Sequence, residues 1–388
     1  MERWKRWGVS IEELPVALVE MLRERGLRDE DIEAALDAGT LHFLAVDQLL
    51  GNPYRRKSAL EVEEETGIDT QVLRRLWRAL GFTDFADTDP IFTELDVQAA
   101  QSLRILLQSG SVEDEVAVQL ARVMGSSMAR FAEAQIVASY AFGDLGDRLA
   151  NLDAVELAER FTRYSSVIVP AVPQLLVYTW IRHLHAASRR AMLAFEKGVE
   201  NISVVEMAVG FVDLVGFTVI AQQLSNAELA KVVGRFEEVS FDVVTQHGGR
   251  VVKMIGDEVM FVSDDPVEAC EIGLSLAKIY EEDEILSEVR AGISWGHVLS
   301  QDGDYYGSTV NTASRVVNIA APGSVLVTES VAERVRKDAD LVLRALRPRY
   351  LKDLGSVQLF VARRASTGAD AAPRAILGPN KKPLGSTG

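Results

Sequence analysis

Apolar positions in the first two hundred residues recur at steps of three and four, the period of a helix with one buried face. The repeat runs through Val16-Ala-Leu-Val-Glu-Met-Leu22, Val97-Gln-Ala-Ala-Gln-Ser-Leu103 and Val116-Ala-Val-Gln-Leu-Ala-Arg-Val-Met124. Ser111-Val-Glu-Asp-Glu115 reads as a capped helix start with acidic residues in its first turn. A longer helix is predicted over 179–197. Strand-like alternation is absent until about residue 203, where the texture changes. Val204-Val-Glu-Met-Ala-Val-Gly-Phe-Val212 predicts a strand and 226–247 a helix. Arg250-Val-Val-Lys-Met-Ile255 and Glu258-Val-Met-Phe-Val262 flank Gly256-Asp257 as a hairpin. Residues 266–280 fit a helix with proline at its start. Val289-Arg-Ala-Gly-Ile-Ser-Trp295 predicts a strand, the Val310 region a helix and Ser324-Val-Leu-Val-Thr328 another strand. The pattern therefore predicts an all-α domain over 1–190, a helical linker over 191–203 and an α+β domain over 204–364, its helices covering a sheet. The Gly-, Pro-, Ala- and Ser-rich 365–388 reads as a disordered tail.

Composition agrees with two domains in 388 residues: 48% hydrophobic and 25% charged is a globular balance. The net charge of −16 argues against a nucleic-acid partner held through phosphates. An acidic protein that bound a polyphosphate would need metal cations to meet it. The single cysteine, Cys270, excludes an intrachain disulfide framework and a cysteine-rich zinc site, and points to a reducing cytoplasm. The start Met1-Glu-Arg-Trp-Lys-Arg6 is charged and leads into no apolar signal core. The best membrane candidate, 167–181, is short of the roughly 20 apolar residues of a span and contains Pro170, Pro173 and Gln174. Buried core is the expectation there, with peripheral lipid contact as the alternative.

Two stretches carry the chemistry, Phe211-Val-Asp-Leu-Val-Gly-Phe-Thr218 and Met254-Ile-Gly-Asp-Glu-Val-Met260. Each sets an aspartate, Asp213 or Asp257, at the end of an apolar run beside glycine-containing backbone. Carboxylates from neighbouring strand ends suit a pair of divalent metals in phosphoryl chemistry, and Mg²⁺ needs only one or two of them besides phosphates and water. An aspartate beside glycine is otherwise an ordinary turn residue. Val215-Gly-Phe-Thr218 leads into a helix, where Gly216 would let backbone N–H groups of Gly216, Phe217 and Thr218 approach an anion. Lys253 and Asp304 are each explicable as surface or loop charges. Together they offer a donor for purine N1 and an acceptor for the 6-amino group, the pattern of adenine rather than guanine. Asn311 and Arg315 share a helix face at i, i+4. The arginine would neutralise charge developing on a phosphate and Asn311 would hold the ribose; a surface ion pair is the plainer role. Lys352, in Arg349-Tyr-Leu-Lys-Asp-Leu-Gly355, is a candidate triphosphate contact.

On these residues, 204–364 resembles the catalytic domain of a class III adenylate cyclase, which has a ferredoxin-like α+β fold. The resemblance implies that Asp213 and Asp257, with the adjoining Leu214, hold two Mg²⁺ or Mn²⁺ ions. It implies that Lys253 and Asp304 read adenine, and that Asn311 and Arg315 serve the transition state. The implied reaction converts ATP to 3′,5′-cyclic AMP and pyrophosphate by attack of the ribose 3′-hydroxyl on the α-phosphate. The family builds each site from two catalytic domains, so one such domain implies a homodimer with two equivalent sites. Guanylate cyclases of the family carry Glu and Cys or Ser where Lys253 and Asp304 stand here. The Gly-Gly-Asp/Glu-Glu-Phe signature of diguanylate cyclases is absent.

The N-terminal half resembles, more diffusely, the helical regulatory domains joined to actinobacterial class III cyclases. Residues 58–82 have helix-turn-helix texture, with Arg74, Arg75 and Arg78 following a turn at Gly67. DNA contact by those arginines is one reading; the glutamates at 61 and 63–65 favour a structural helical subdomain. His183 and His185, beside Arg182, admit a sensitivity to mild acid, with ordinary core or surface histidines as the plainer reading. A signalling scaffold with a vestigial cyclase domain is the non-enzymatic alternative.

Overall fold

The computed structural model describes residues 16–24, 27–37, 44, 56–110, 112–141, 154–196, 198, 203–283, 285–352 and 354–365. Ser111, the end of the linker at 199–202 and the tail beyond 365 lie outside the described residues. The chain divides into two compact units, Met1–Arg190 and Ala191–Gly388.

The described part of the first unit is helical: α1 (Val16–Glu24), α2 (Asp29–Asp37), α3 (Ala59–Thr66), α4 (Thr70–Ala79), α5 (Glu94–Gln108), α6 (Asp114–Ala141) and most of α7 (Ala154–Glu196), whose last residues belong to the second unit. Local chemistry sets the start of α3. Ser58 Oγ accepts from the Glu61 N–H at 3.3 Å, while the Glu61 carboxylate accepts from the Ser58 N–H at 2.7 Å, a reciprocal cap. Asp69 caps α4 through the Gln71 N–H at 2.8 Å. Ala59, Val62, Leu73, Phe85, Phe92 and Val97 close one apolar core between α3, α4 and α5. The helix-turn-helix arginines face carboxylates of their own unit. Arg74 reaches Asp87 at 2.6 Å and lies over the Phe85 ring, Arg75 reaches Glu115 at 3.1 Å, and Arg78 lies 3.8 Å from Asp84. These pairs favour the structural reading of 58–82 over DNA contact.

Helix α7 overturns the expectation of buried core at 167–181. Val167, Leu175, Tyr178, Trp180 and Ile181 are all more than half exposed within the chain. Its 43 residues make a rod about 65 Å long. Pro170 and Pro173 lie inside it. His183 and His185 are on exposed positions of the same helix. Among the described residues, no helix is long and apolar enough to cross a membrane.

The second unit is an α+β sandwich. In chain order it contains β1 (Val204–Leu214), α8 (Phe217–Ala221), α9 (Asn226–Gln246), β2 (Arg250–Ile255), β3 (Glu258–Ser263), α10 (Pro266–Glu282) and β4 (Val289–Gln301). There follow β5 (Asp304–Tyr306), α11 (Ser308–Ile319), β6 (Val325–Thr328), α12 (Glu329–Val335), β7 (Leu341–Ala345), β8 (Arg349–Leu351), β9 (Gly355–Val357) and β10 (Leu359–Arg364). The main sheet runs β2-β3-β1-β4-β6-β10-β7, with β5 on β4; β8 and β9 form a separate hairpin. Its first four strands with α9 and α10 are the βαββαβ arrangement of a ferredoxin-like fold.

Alternation along the strands sorts the core into two faces. Ala208, Val212, Phe261, Ala291 and Ile293 meet α9, α10 and α12. Met207, Val209, Phe211, Met260, Val262 and Val298 meet α11 through Ala313 and Val317. Asp213 continues the odd-numbered row of β1 and so stands on the α11 face.

Candidate active site

The site is built where β1, β3 and β4 run side by side. Asp213 is the register partner of Glu258 on β3 and of Arg290 on β4. The three side chains therefore form a row across the sheet, two carboxylates and a guanidinium, all on the α11 face. The Leu214 N–H donates to the Asp257 carbonyl at 3.0 Å, which brings the two aspartates together at adjacent strand ends. Gly256, with φ of +64°, makes the tight β2–β3 turn that presents Asp257.

Asp213 is bound by Arg290, Nε at 2.7 Å and Nη2 at 2.6 Å. Burial raises the Asp213 carboxyl above the usual range; Arg290 acts against that shift and the Asp257 charge adds to it. Glu258 is pushed up to about 7, by burial first and then by the charges of Asp213 and Asp257. Arg290 also donates through Nη1 to the Asn318 carbonyl of α11 at 3.1 Å. Neither Glu258 nor Arg290 stood out in the sequence. Each reads there as one charged residue in a strand, and only the register sets them beside Asp213.

Lys253 and Asp304 form an ion pair across 51 residues of chain. A bulge makes this possible. Val251 opposes Phe261 and Lys253 opposes Met260, with Val252 as the extra residue. Unbroken pairing would set Lys253 opposite Val259, on the α9–α10 face; the bulge turns it to the Met260 face. From the other side, Asp304 opens β5, whose hairpin with β4 turns at Asp302 and Gly303, both at positive φ. Arg250 and Tyr305 approach at 3.4 Å beside the pair.

Asn311 and Arg315 both lie on α11, opposite its buried Ala313, Val316 and Val317. Asn311 is exposed and Arg315 half-buried. The helix descends close to β4 because Gly292 and Gly296 leave it room. A Cβ at Gly292 would stand 2.3 Å from the Val317 nitrogen, and one at Gly296 would stand 2.7 Å from Thr309 Oγ1. Gly216 is left-handed, φ +75°, and caps the short α8. Phe217 packs against the core, whereas Thr218 is exposed. The Leu214 side chain is buried in the core, so only its backbone carbonyl can serve a ligand. Lys352 is exposed, after β8.

Divalent metal suits the carboxylates. Asp213 already has a cation against it, and Asp257 is near enough for its charge to act on Asp213. Among the described residues, no three His, Cys, Asp or Glu side chains converge as a closed metal cage. Two aspartates leave open positions, which matches Mg²⁺ or Mn²⁺ completed by phosphate and water rather than a structural ion.

Residues 12–184 match the family model of the adenylate cyclase regulatory domain, and 199–361 that of the adenylate and guanylate cyclase catalytic domain. An adenylate cyclase of Glutamicibacter nicotianae is 34% identical over 321 residues, 79% of this chain and 78% of that protein. One of Streptomyces coelicolor is 35% identical over 297 residues, 76% of each. A pH-sensitive adenylate cyclase of Mycobacterium tuberculosis is 32% identical over 366 residues, 90% of this chain and 88% of that one. With relatives alike over both halves, the chain belongs to the class III adenylate cyclase family, as a catalytic domain preceded by the family's regulatory domain.

Proposed function

We propose that the protein converts ATP to 3′,5′-cyclic AMP and pyrophosphate at two equivalent sites shared between the chains of a homodimer. The observation that carries the choice of base is the Lys253–Asp304 pair. The ammonium can donate to adenine N1 and the carboxylate can accept from the 6-amino group, while guanine presents the reverse edge. A nucleotide that left either charge unsatisfied would be rejected strongly.

No protein nucleophile is needed, because the ribose 3′-hydroxyl is the nucleophile and pyrophosphate leaves from the α-phosphorus. The protein's part is to align these in one line and to meet the charge that develops. Asp213, Asp257 and the Leu214 carbonyl would hold two Mg²⁺ or Mn²⁺ ions. When bound, these ions supply Lewis acidity toward the hydroxyl and the phosphate oxygens. Asn311 orients the ribose. Arg315 sets positive charge at the α-phosphate, an effect on the order of 10³–10⁵ in rate in other phosphoryl transferases. Backbone at Gly216, Phe217 and Thr218 faces the phosphates, and Lys352 adds a cation to the triphosphate. In a shared site, one chain gives the aspartates and its partner the adenine-reading and transition-state residues. The N-terminal unit then regulates by changing how the catalytic domains are placed.

Purified protein supplied with ATP or GTP and each metal, followed by chromatography of the product, tests the base assignment; cyclic GMP in excess of cyclic AMP overturns it. Site sharing is tested by mixing Asp213→Ala and Arg315→Ala chains, each inactive alone. Restored activity is expected, and its absence at confirmed mixed-dimer formation removes the shared-site reading.

A further inference from the structure

On the opposite side of the sheet from α11, three elements contribute one continuous hydrogen-bonded chain. Glu268 Oε2 lies 2.9 Å from His247 Nδ1, and His247 Nε2 lies 3.2 Å from Ser275 Oγ. Arg364 donates to Ser275 Oγ at 2.7 Å. Glu271 fixes that guanidinium, accepting from its Nε at 2.8 Å and its Nη2 at 2.6 Å. Glu268, Glu271 and Ser275 stand on one face of α10 at i, i+3 and i+7. His247 ends α9 and Arg364 ends β10.

Proton placement follows from the donors. Arginine can only donate, so Ser275 Oγ accepts from Arg364 and its own hydroxyl proton is free to point at His247 Nε2. Glu268 accepts only, so it takes the proton on His247 Nδ1. A neutral imidazole protonated at Nδ1 satisfies every member of the chain. That is the tautomer of a general base facing a serine, oriented by a carboxylate, and such constellations are recognised by geometry and role rather than by fold.

We propose that Ser275 is a nucleophile toward small activated acyl esters, a second reactive centre separate from nucleotide chemistry. Ser275 Oγ adds to the ester carbonyl carbon while its proton passes to His247 Nε2. The tetrahedral oxyanion lies beside the Arg364 guanidinium. The carbonyl–oxygen bond to the leaving group then breaks, the leaving alcohol takes the proton from His247, and Ser275 carries the acyl group. Water activated by the same base cleaves that ester and restores the serine. Glu268 and Glu271 are positioning residues, acting through His247 and Arg364. The group lies at the surface, with the His247 and Glu268 side chains 27% and 45% exposed, so a small acyl ester can reach it.

The test uses the full chain with 4-nitrophenyl acetate, reading nitrophenolate release and the position of the acetyl group by peptide mass mapping. Acetylation at Ser275 is expected, lost in Ser275→Ala, with cyclic AMP formation unchanged in that variant. His247→Gln should slow acylation by about 10²–10⁴-fold, the range of a general base. Glu268→Gln, altered at an exposed carboxylate, should slow it at an unchanged melting temperature and carries the same comparison should His247→Gln unfold. An unmodified Ser275, or one acetylated equally fast without the histidine, overturns the proposal and leaves the cluster as a tie between α9, α10 and β10.

Discussion

Asp213 sits in a row with Glu258 and Arg290, and that row decides how the carboxylates behave. Glu258 titrates near 7 in the folded chain, far above an ordinary glutamate, through burial and two neighbouring aspartates. A raised folded pKa means that the native state holds the proton more tightly than the unfolded chain. Stability from this group is therefore full below the unfolded value and is lost as pH rises through about 7. With metal chelated, Glu258→Gln should raise the melting temperature at pH 8 and change it little at pH 4. An equal shift at both pH values would contradict this origin. At the other charged pair, Lys253→Ala leaves Asp304 without its cation. A hydrogen bond to a charged group is worth about 1.5–3 kcal/mol, so kcat/KM for ATP should fall roughly 10- to 100-fold in steady-state assays with ATP as substrate. A fall below threefold would remove Lys253 from base recognition.

Helix α11 shows how an element places chemistry. Its buried stripe of Ala313, Val316 and Val317 orients Asn311 and Arg315 outward. Its depth is set by β4, where glycine at 292 lets the helix backbone approach. Gly292→Ala should therefore cost about 1–3 kcal/mol as an overpacking change, visible in denaturant unfolding. It should also lower kcat, because the helix must move with Asn311 and Arg315 on it. Unchanged stability would mean that the helix is free to shift. The hairpin of β2 and β3 teaches the complementary lesson. The apolar runs on either side of Gly256-Asp257 made it legible from sequence. The bulge at Val252, which turns Lys253 toward Asp304, leaves no mark in the hydrophobic pattern.

At the scale of the whole molecule, the two family models divide the chain between regulation and catalysis. Helix α7 holds the exposed histidines and a row of exposed apolar side chains at the end of the first unit. If the N-terminal unit restrains the catalytic domain, residues 200–364 alone should differ from the full chain in specific activity, measured across pH 5–8. Equal activity at every pH would count against regulation by this unit.

The sequence by itself determined the helical first half and the α+β second half, and it singled out the residues proposed here for nucleotide chemistry. Those features are written in local period and in residue type: apolar spacing separates helix from strand, and Asp213, Asp257, Asn311 and Arg315 sit in short distinctive runs. Tertiary structure alone decided the rest. The Glu258–Asp213–Arg290 row depends on strand register, and the Lys253–Asp304 pair on a bulge and a distant hairpin. The exposure of α7 depends on what fails to pack against it. Each of these is a relation between distant segments, and a local pattern of hydrophobicity holds no record of which segments meet.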